Sequence, residues 1–484
     1  MRVFFTSIIC IILSSCMVGP DFHIPCAPHV HSYTSYPLPK KTKSTPTAGQ
    51  QGVAQHFVVG ADIPGQWWKL FHSTQLDNLI RIGIANSPNL TAATAAVKQA
   101  IEALNVSAGN ALYPNISAQL PGERQRSFNI FGGSSLLYNL YNPTFNVTYT
   151  LDVFGGARRE LESLRAQIDY SNFQLEAAYL TLTSDIAAAA INIASIRGQI
   201  EATKQIIELQ NNQLVIVQKQ YKLGGASGND VLTQKTQVAQ TIAQLPPLQQ
   251  SLEVTMDALA VLIGEFPSEA RLPTFNLNSL HLPAVIPVSI PSALVRQRPD
   301  IRASEALLHS ASAQVGVSTA ALFPQVNLSG AYGWGSTSAN GLFTYQTLVW
   351  NYMGQILQPI FNGGALRAQR RESIAAFEQA VAQYRQTVLK AFQDVADTLG
   401  ALKNDAAALL ALREAEDAAY KALILSQGQY NLGGVNYLIL LNAQRQYQRA
   451  KIDRIKAEAA RFVDTATLFK ALGGGWWNRE EMKA

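Results

Sequence analysis

The sequence predicts a mixed α and β protein in which long coiled-coil-like helices accompany four membrane-type β-strands per chain. Three observations carry this prediction. Apolar residues recur by sevens over stretches far longer than an ordinary helix. Short segments alternate polar and apolar, with aromatic residues on the apolar side. Both patterns occur twice, in the same order along the chain.

Composition agrees. Only 15% of the 484 residues are charged, whereas soluble domains average about 25%. Low charge without a disordered composition means that much surface faces lipid, a partner or a self-associated core. The net charge of +5 is small for this length, and no basic run with interleaved aromatics points to nucleic acid. The cysteines, Cys10, Cys16 and Cys26, all lie near the N-terminus and form no disulfide framework. The cysteine-free remainder suits an oxidising compartment.

The N-terminal segment 1–15 carries Arg2 and then an apolar run from Val3 to Leu13, too short to span a bilayer, and reads as a signal peptide. Its end, Leu13-Ser14-Ser15-Cys16, resembles a bacterial lipobox, which makes Cys16 the acylated mature N-terminus; the alternative is an ordinary signal peptide with an incidental cysteine. Residues 16–66 are rich in Pro, Ser, Thr and His and read as an extended strap. Cys26, His29 and His31 are read as polar tail, because no fourth metal ligand follows at usable spacing.

The first structural repeat spans 67–280. Trp67-Trp68-Lys69-Leu70-Phe71 begins ordered structure, and a helix follows from Leu76 to Ala111 with a kink at Pro88. A β-hairpin occupies 115–154, where Thr144 to Val153 alternates without a fault and Asn115 to Leu120 alternates before it.

The long helix 157–223 comes next. One apolar row is Leu161, Ile168, Leu175, Leu182, Ala189 and Ile196, resuming at Val217 after Thr203 and Gln210. A second is Tyr179, Ile186, Ile193, Ile200, Ile207, Leu214 and Tyr221. No proline interrupts it, so it predicts a rod of roughly 100 Å that neighbouring helices must cover. Gly224-Gly225 stops it. A return helix starts near Asn229, breaks at Pro246-Pro247 and ends at Ile263-Gly264, before an irregular stretch over 265–291.

The second repeat, 281–484, follows the same plan: a hairpin over 325–361, a long helix over 365–430, and a return helix from about Asn436 to Leu472. Its heptad row is Ile374, Val381, Val388, Val395, Leu402, Leu409, Glu416, Leu423 and Tyr430, with Glu416 the one polar member. Four local echoes at nearly one offset mark an internal duplication. Gln220-Tyr221-Lys222-Leu223-Gly224-Gly225 answers Gln429-Tyr430-Asn431-Leu432-Gly433-Gly434, and Phe154-Gly155-Gly156-Ala157 answers Phe361-Asn362-Gly363-Gly364-Ala365. Ala111-Leu112-Tyr113-Pro114 answers Ala321-Leu322-Phe323-Pro324, and Ser87-Pro88-Asn89-Leu90 answers Arg298-Pro299-Asp300-Ile301.

A half-buried strand in a soluble sheet alternates as well as a membrane strand does. Here no second layer is predicted to cover the apolar faces of Phe145, Val147, Tyr149 and Leu151, or of Val326, Leu328, Tyr332 and Trp334. Insertion into lipid solves that, but four strands cannot close a barrel, for which about eight are needed. Several chains must pool their strands.

With these motifs the chain resembles the TolC/OprM-type outer-membrane efflux factors, in particular their lipoprotein (NodT-like) branch. The resemblance rests on Cys16 followed by Val18-Gly19-Pro20-Asp21-Phe22, on Trp67-Trp68, and on Arg298-Pro299-Asp300-Ile301-Arg302-Ala303. It rests also on the turns at Tyr221 and Tyr430 and on Asn442-Ala443-Gln444-Arg445. It implies a homotrimer with a twelve-stranded outer-membrane barrel and a periplasmic helical tunnel. A periplasmic adaptor protein and an inner-membrane efflux pump dock at the tunnel tip, and small molecules such as drugs are exported passively. The alternative is a periplasmic coiled-coil lipoprotein acting as adaptor or stalk, which would not need two aromatic-faced hairpins.

No catalytic, cofactor or metal residue is assigned. The sequence lacks a His-Glu-x-x-His motif, a phosphate-binding loop and a nucleophile elbow. Gly330, Gly333 and Gly335 only superficially resemble a nucleotide loop, because they sit in an alternating strand.

The resemblance also implies a closed periplasmic aperture narrowed by a Leu, an Asp four residues on and an Arg three beyond. The matching positions are Leu438, Asn442 and Arg445, so an amide stands where the branch has a carboxylate. Asp230 near the equivalent tip of the first copy either keeps some negative charge there or complements a helix N-terminus. The helix-turn tips are Tyr221, Gly224 and Gly225, and Tyr430, Gly433 and Gly434.

Overall fold

The computed structural model describes residues 17–127 and 135–479. The segment 1–15, read above as a signal peptide, and Cys16, read as its lipid-attachment site, lie outside them. In chain order the principal elements are strand β1 (His56–Val59), helices α1 (Thr74–Asn86) and α2 (Pro88–Leu112), and strands β2 (Asn115–Gln119), β3 (Gly122–Ser127), β4 (Leu136–Tyr141) and β5 (Thr144–Leu151). Helices α3 (Gly156–Lys222), α4 (Gly228–Ile242) and α5 (Leu245–Leu262) follow, then β6 (Val285–Val288), α6 (Pro291–Gln297) and α7 (Pro299–Ala320). The chain ends with β7 (Gln325–Trp334), β8 (Leu348–Leu357), α8 (Ala365–Asn431) and α9 (Tyr437–Ala471).

The helix expected over 76–111 is two helices, because Pro88 opens α2, where its missing N–H costs nothing, and Ser87 between them is extended. The break expected at Pro246-Pro247 falls between α4 and α5. Both long helices run 67 residues without interruption.

The chain divides into two compact units. The first comprises the described residues of Met1–Pro25, Ala95–Asn172 and Ala303–Gln386. It contains a four-stranded antiparallel sheet in the order β2-β5-β7-β8, so the two predicted hairpins join edge to edge. The register aligns their patterns. Phe145 lies opposite Ala118 and Tyr332, Val147 opposite Ile116 and Gly330, and Leu151 opposite Val326. On the next strand Trp350 stands opposite Tyr332 and Ile356 opposite Val326. Because side chains alternate faces along a strand, this register gathers the apolar set on one face and Ser117, Asn146, Thr148, Thr150, Asn327 and Ser329 on the other. Thr150 donates to Asn327 Oδ1 at 2.8 Å across the polar face. Phe145, Tyr332, Trp350, Tyr352 and Ile356 are all exposed.

The sequence reading folded 115–154 into one hairpin, but the structure adds a second pair, β3 with β4, between β2 and β5. Leu136-Leu137-Tyr138-Asn139-Leu140-Tyr141 is apolar at successive positions, so it carries no period of two to betray a strand.

The second unit comprises Cys26–Thr94, Phe173–Arg302 and the described residues of Thr387–Ala484. Trp67, Trp68 and Phe71 form a short 3-10 turn and are buried; Trp67 stacks on Phe469 at 5.4 Å and Phe71 packs on Phe462 at 6.1 Å. The strap is more structured than expected. Its residues His56–Val59 pair in parallel with Val285–Val288, which also gives the nominally irregular stretch 265–291 a strand. Four-residue strands paired across the sequence are too short to show alternation. Arg461 of α9 is wholly buried and donates to the backbone carbonyls of Gln51 and Val53 at 2.7 and 2.9 Å, fastening the strap to the helix. Arg298, from the Arg-Pro-Asp motif, is also buried and bonds the Ala471 carbonyl at 3.1 Å and the carboxylates of Asp300 and Asp394 at 2.6 and 3.1 Å.

The heptad rows survive in part. On α8 the run Val388, Val395, Leu402, Leu409, Glu416, Leu423 is buried throughout. Its polar member Glu416 accepts from Arg413 at 2.8 Å and forms an ion pair with Arg454 at 2.6 Å, and Arg454 reaches Glu458 at 2.6 Å, which offsets the cost of burying the charges. On α3 the second predicted row is buried at Ile186, Ile193 and Ile200 and then turns outward, leaving Tyr221 exposed. Beyond Ile200 the buried positions are Ala202, Thr203, Ile206, Gln210, Gln213 and Val217. A straight helix drifts about 20° per heptad from a strict repeat of seven, which is enough to move the seam from one row to the other.

Candidate functional site

The predicted tip residues lie in the second unit and form one assembly. Both turns end a long helix in the same way. The Gly225 N–H donates to the Gln220 carbonyl and the Gly434 N–H to the Gln429 carbonyl, each at 2.8 Å. Gly224 and Gly433 sit at φ 77° and 75°, the left-handed conformation that closes a helix through its last free carbonyls. Tyr221 lies over Gly228, while Tyr430 meets Tyr437 edge-on at 5.7 Å.

Helices α4 and α9 leave the turns with their own caps. Ser227 Oγ accepts from the Asp230 N–H at 3.1 Å, and the Asp230 carboxylate accepts from the Ser227 N–H at 2.9 Å. Asp230 is therefore the acidic partner of a capping box. The side chain of Asn436 caps α9 by accepting from the Ile439 N–H at 3.2 Å.

Leu438, Asn442 and Arg445 form an exposed stripe on α9, one helical turn apart. The opposite side of α9 packs Tyr437, Leu440, Leu441 and Ala443 into a core with Val217 of α3 and Leu423 of α8.

Around that core sequence reasoning missed a layer of amides. Gln213 and Gln427 join the two long helices side chain to side chain. Gln234 donates to the Gln210 carbonyl at 2.7 Å and accepts from the Tyr437 hydroxyl. Arg445 Nε donates to Gln237 Oε1 at 2.6 Å, and Gln448 donates to Gln244 at 2.9 Å. The signal was present in the sequence: Gln234 and Gln237 stand three apart, on one face of a helix. Burial pushes the Tyr437 phenol above its ordinary pKa, and the nearby Tyr430 and Asp230 add to the effect, so it remains a hydrogen-bond donor at neutral pH.

This arrangement offers no nucleophile beside a base and no set of metal ligands; among the described residues no group of three or more His, Cys, Asp or Glu clusters for a metal. It is two helical hairpins cross-tied by breakable hydrogen bonds, the one from Arg445 charge-assisted.

Comparison with known proteins decides the family. Residues 79–265 and 290–474 match the family described as outer membrane efflux protein. The chain belongs to that family. The two matched blocks correspond to the two sequence repeats, and the family sets aside the adaptor and stalk alternatives.

This outer-membrane efflux protein is 31% identical over 418 residues to the pyoverdine export outer membrane protein OpmQ of Pseudomonas aeruginosa, with 85% of this chain and 87% of that one covered. It is 29% identical over 481 residues to the probable efflux pump outer membrane protein TtgC of Pseudomonas putida, covering 97% and 94%. Among solved structures, the outer-membrane channel OprN superposes with a TM-score of 0.85 at 25% identity, covering 95% of this chain and 100% of that one. The open state of the MtrE outer-membrane channel of Neisseria gonorrhoeae gives 0.80 at 26%, covering 95% and 99%.

Proposed function

We propose that three copies of this chain form the outer-membrane channel of a tripartite efflux system, a passive conduit rather than an enzyme. The observation that carries the reading is the four-stranded sheet β2-β5-β7-β8. Its apolar face is exposed, and among the described residues its outer strands β2 and β8 each pair with a strand on one side only. An open edge as long as β8, Leu348–Leu357, is a liability in a soluble protein. Pairing β8 of one copy with β2 of the next around a threefold axis satisfies both edges, and three sheets make a closed twelve-stranded barrel whose apolar face meets lipid.

In this reading Cys16 carries the lipid anchor. The turns at Tyr221-Gly224-Gly225 and Tyr430-Gly433-Gly434 form the periplasmic end, where a periplasmic adaptor protein and an inner-membrane pump engage. Leu438, Asn442 and Arg445 line the closed aperture: Leu438 narrows it, Asn442 contributes an amide where relatives of the branch have a carboxylate, and Arg445 is held by Gln237. Cargo is driven by the pump, and the channel supplies a path.

The test is mass and cross-linking on the detergent-purified protein. A trimer mass, and disulfides between cysteines placed at Ile116 and Tyr352 of different copies, are the expected results. A monomer under conditions where the sheet is folded would contradict the proposal. Photo-cross-linkers at Ser227 and Asn436 should capture the adaptor; capture only from the strand loops would invert the assigned orientation.

A further inference from the structure

The first described residues of the chain do not hang free. Val18 N–H donates to the Phe154 carbonyl at 3.2 Å, just past the end of β5. Met17 lies so close on Gly155 that a Cβ built there would stand 2.5 Å from Met17 Cγ. Gly19, at φ 98°, passes over Gly316 of α7 with no room for a side chain on either, since a Cβ on Gly19 would meet the Gly316 Cα at 2.4 Å.

At the centre of this contact is Arg159, on the first turn of α3, whose side chain is 2% exposed. Its Nε donates to the Val18 carbonyl at 3.2 Å, Nη2 to Asp21 at 2.7 Å and Nη1 to Glu162 at 2.7 Å. Glu162 in turn contacts His309 Nε2 at 2.9 Å, and the His309 ring stacks on Phe22 at 4.3 Å and 12°. The side chain of Asp21 is 79% exposed, so the tail contributes an accessible carboxylate to a buried fork. Charge-assisted donation from one planar guanidinium to three separate acceptors fixes geometry as well as adding energy.

We propose that Arg159 is the positioning residue of an N-terminal clasp, which fixes the point at which the acylated terminus enters the outer membrane. The proposal rests on the lipoprotein reading of Cys16 for its acyl group. An acyl group on Cys16 would be separated from Met17 by a single peptide bond. Met17 is docked on Gly155 between β5 and α3, at the foot of the sheet assigned to the membrane. The clasp therefore makes the anchor a fixed appendage of the hairpin root instead of a flexible tether. The segment Val18-Gly19-Pro20-Asp21-Phe22 supplies one carbonyl, one glycine, one carboxylate and one ring to that end.

The experiment is nitroxide labelling at Pro20→Cys, an exposed position inside the clasp, in full-length protein carrying Cys26→Ser. The parent should give an immobilised spectrum. Arg159→Gln and, separately, Asp21→Asn should convert it to a mobile one, with loss of the immobile component. Asp21→Asn changes only an exposed tail side chain, so it decides the matter if Arg159→Gln fails to fold. A mobile label in the parent, or an immobile one in Asp21→Asn, overturns the clasp.

Intact mass of the same samples separates this from the lipoprotein reading. One label and an acylated Cys16 is the expected composition. Two labels mean that Cys16 is free, which removes the acyl group and the membrane-entry role while the clasp itself is still scored from the same spectra.

Discussion

Arg445 donates its Nε hydrogen to Gln237 Oε1 at 2.6 Å, and two turns earlier on the same helix Tyr437 donates to Gln234. These bonds tie α9 to α4, the two helices that leave the tip turns. Leu438 and Asn442 are carried by α9 on its exposed side. Moving that stripe outward requires both ties to part. A hydrogen bond to a charged group is worth about 1.5–3 kcal/mol and a neutral one about 1 kcal/mol, so these two ties hold α9 against α4 by a few kcal/mol.

The combined Tyr437→Phe and Arg445→Gln variant should therefore leak. Bilayer conductance per channel is expected to rise severalfold over wild type, with thermal stability little changed. Conductance equal to wild type would mean that these ties do not hold the aperture.

Asn442→Asp should raise selectivity for cations and sensitivity to block by multivalent cations. Three carboxylates in a narrow opening concentrate cations and three amides do not. Reversal potential in a salt gradient measures this. A variant indistinguishable from wild type in reversal potential and block would remove Asn442 from the aperture.

On the sheet, Tyr332→Arg places a charge on the face assigned to lipid and should cost about 2–4 kcal/mol if mid-membrane, whereas Ser329→Arg on the polar face should cost much less. Urea midpoints in micelles compare the two. Equal losses would contradict the assignment of faces made from the register Phe145–Tyr332 and Thr148–Ser329.

How much of this was legible in the sequence depended on the range of the interactions. The tip turns were readable because Gly224 and Gly433 must close long helices and their neighbours repeat almost letter for letter. The polar and apolar faces of β5 and β7 were readable because period two is local. The tie from Tyr437 to Gln234 was not, since it joins residues 203 apart in the chain and a buried glutamine looks like a surface one in sequence. The shift of the α3 seam from Ile200 to Ile206 and Gln213 is a small angular drift summed over many turns. Strands β1 and β6 were too short to alternate visibly.

Asp405 of α8 lies beside Asp464 of α9 in the second unit. Burial, then the hydrogen bond and charge of Asp464, raise Asp405 to about 7, while Arg461 opposes the shift. A carboxyl raised in the folded state stabilises fully below its unfolded value near 4, and that contribution is lost as pH climbs through 7. Asp405 is half exposed, so solvent screening limits the effect to about 1 kcal/mol. The melting temperature of wild type should fall between pH 4 and 7 relative to Asp405→Asn, which removes the charge and keeps the shape. Parallel melting curves for the two proteins across that window would show that Asp405 titrates normally.

The central claim, that this chain builds a pore, is tested most directly by adding the detergent-purified, unlabelled protein to a planar lipid bilayer and recording current. The account predicts discrete, repeated steps of ion conductance from a trimeric fraction, small in the wild type and enlarged in the Tyr437→Phe, Arg445→Gln protein. A trimeric fraction that inserts, as judged by protease protection of the strands, yet passes no current in either protein would contradict it.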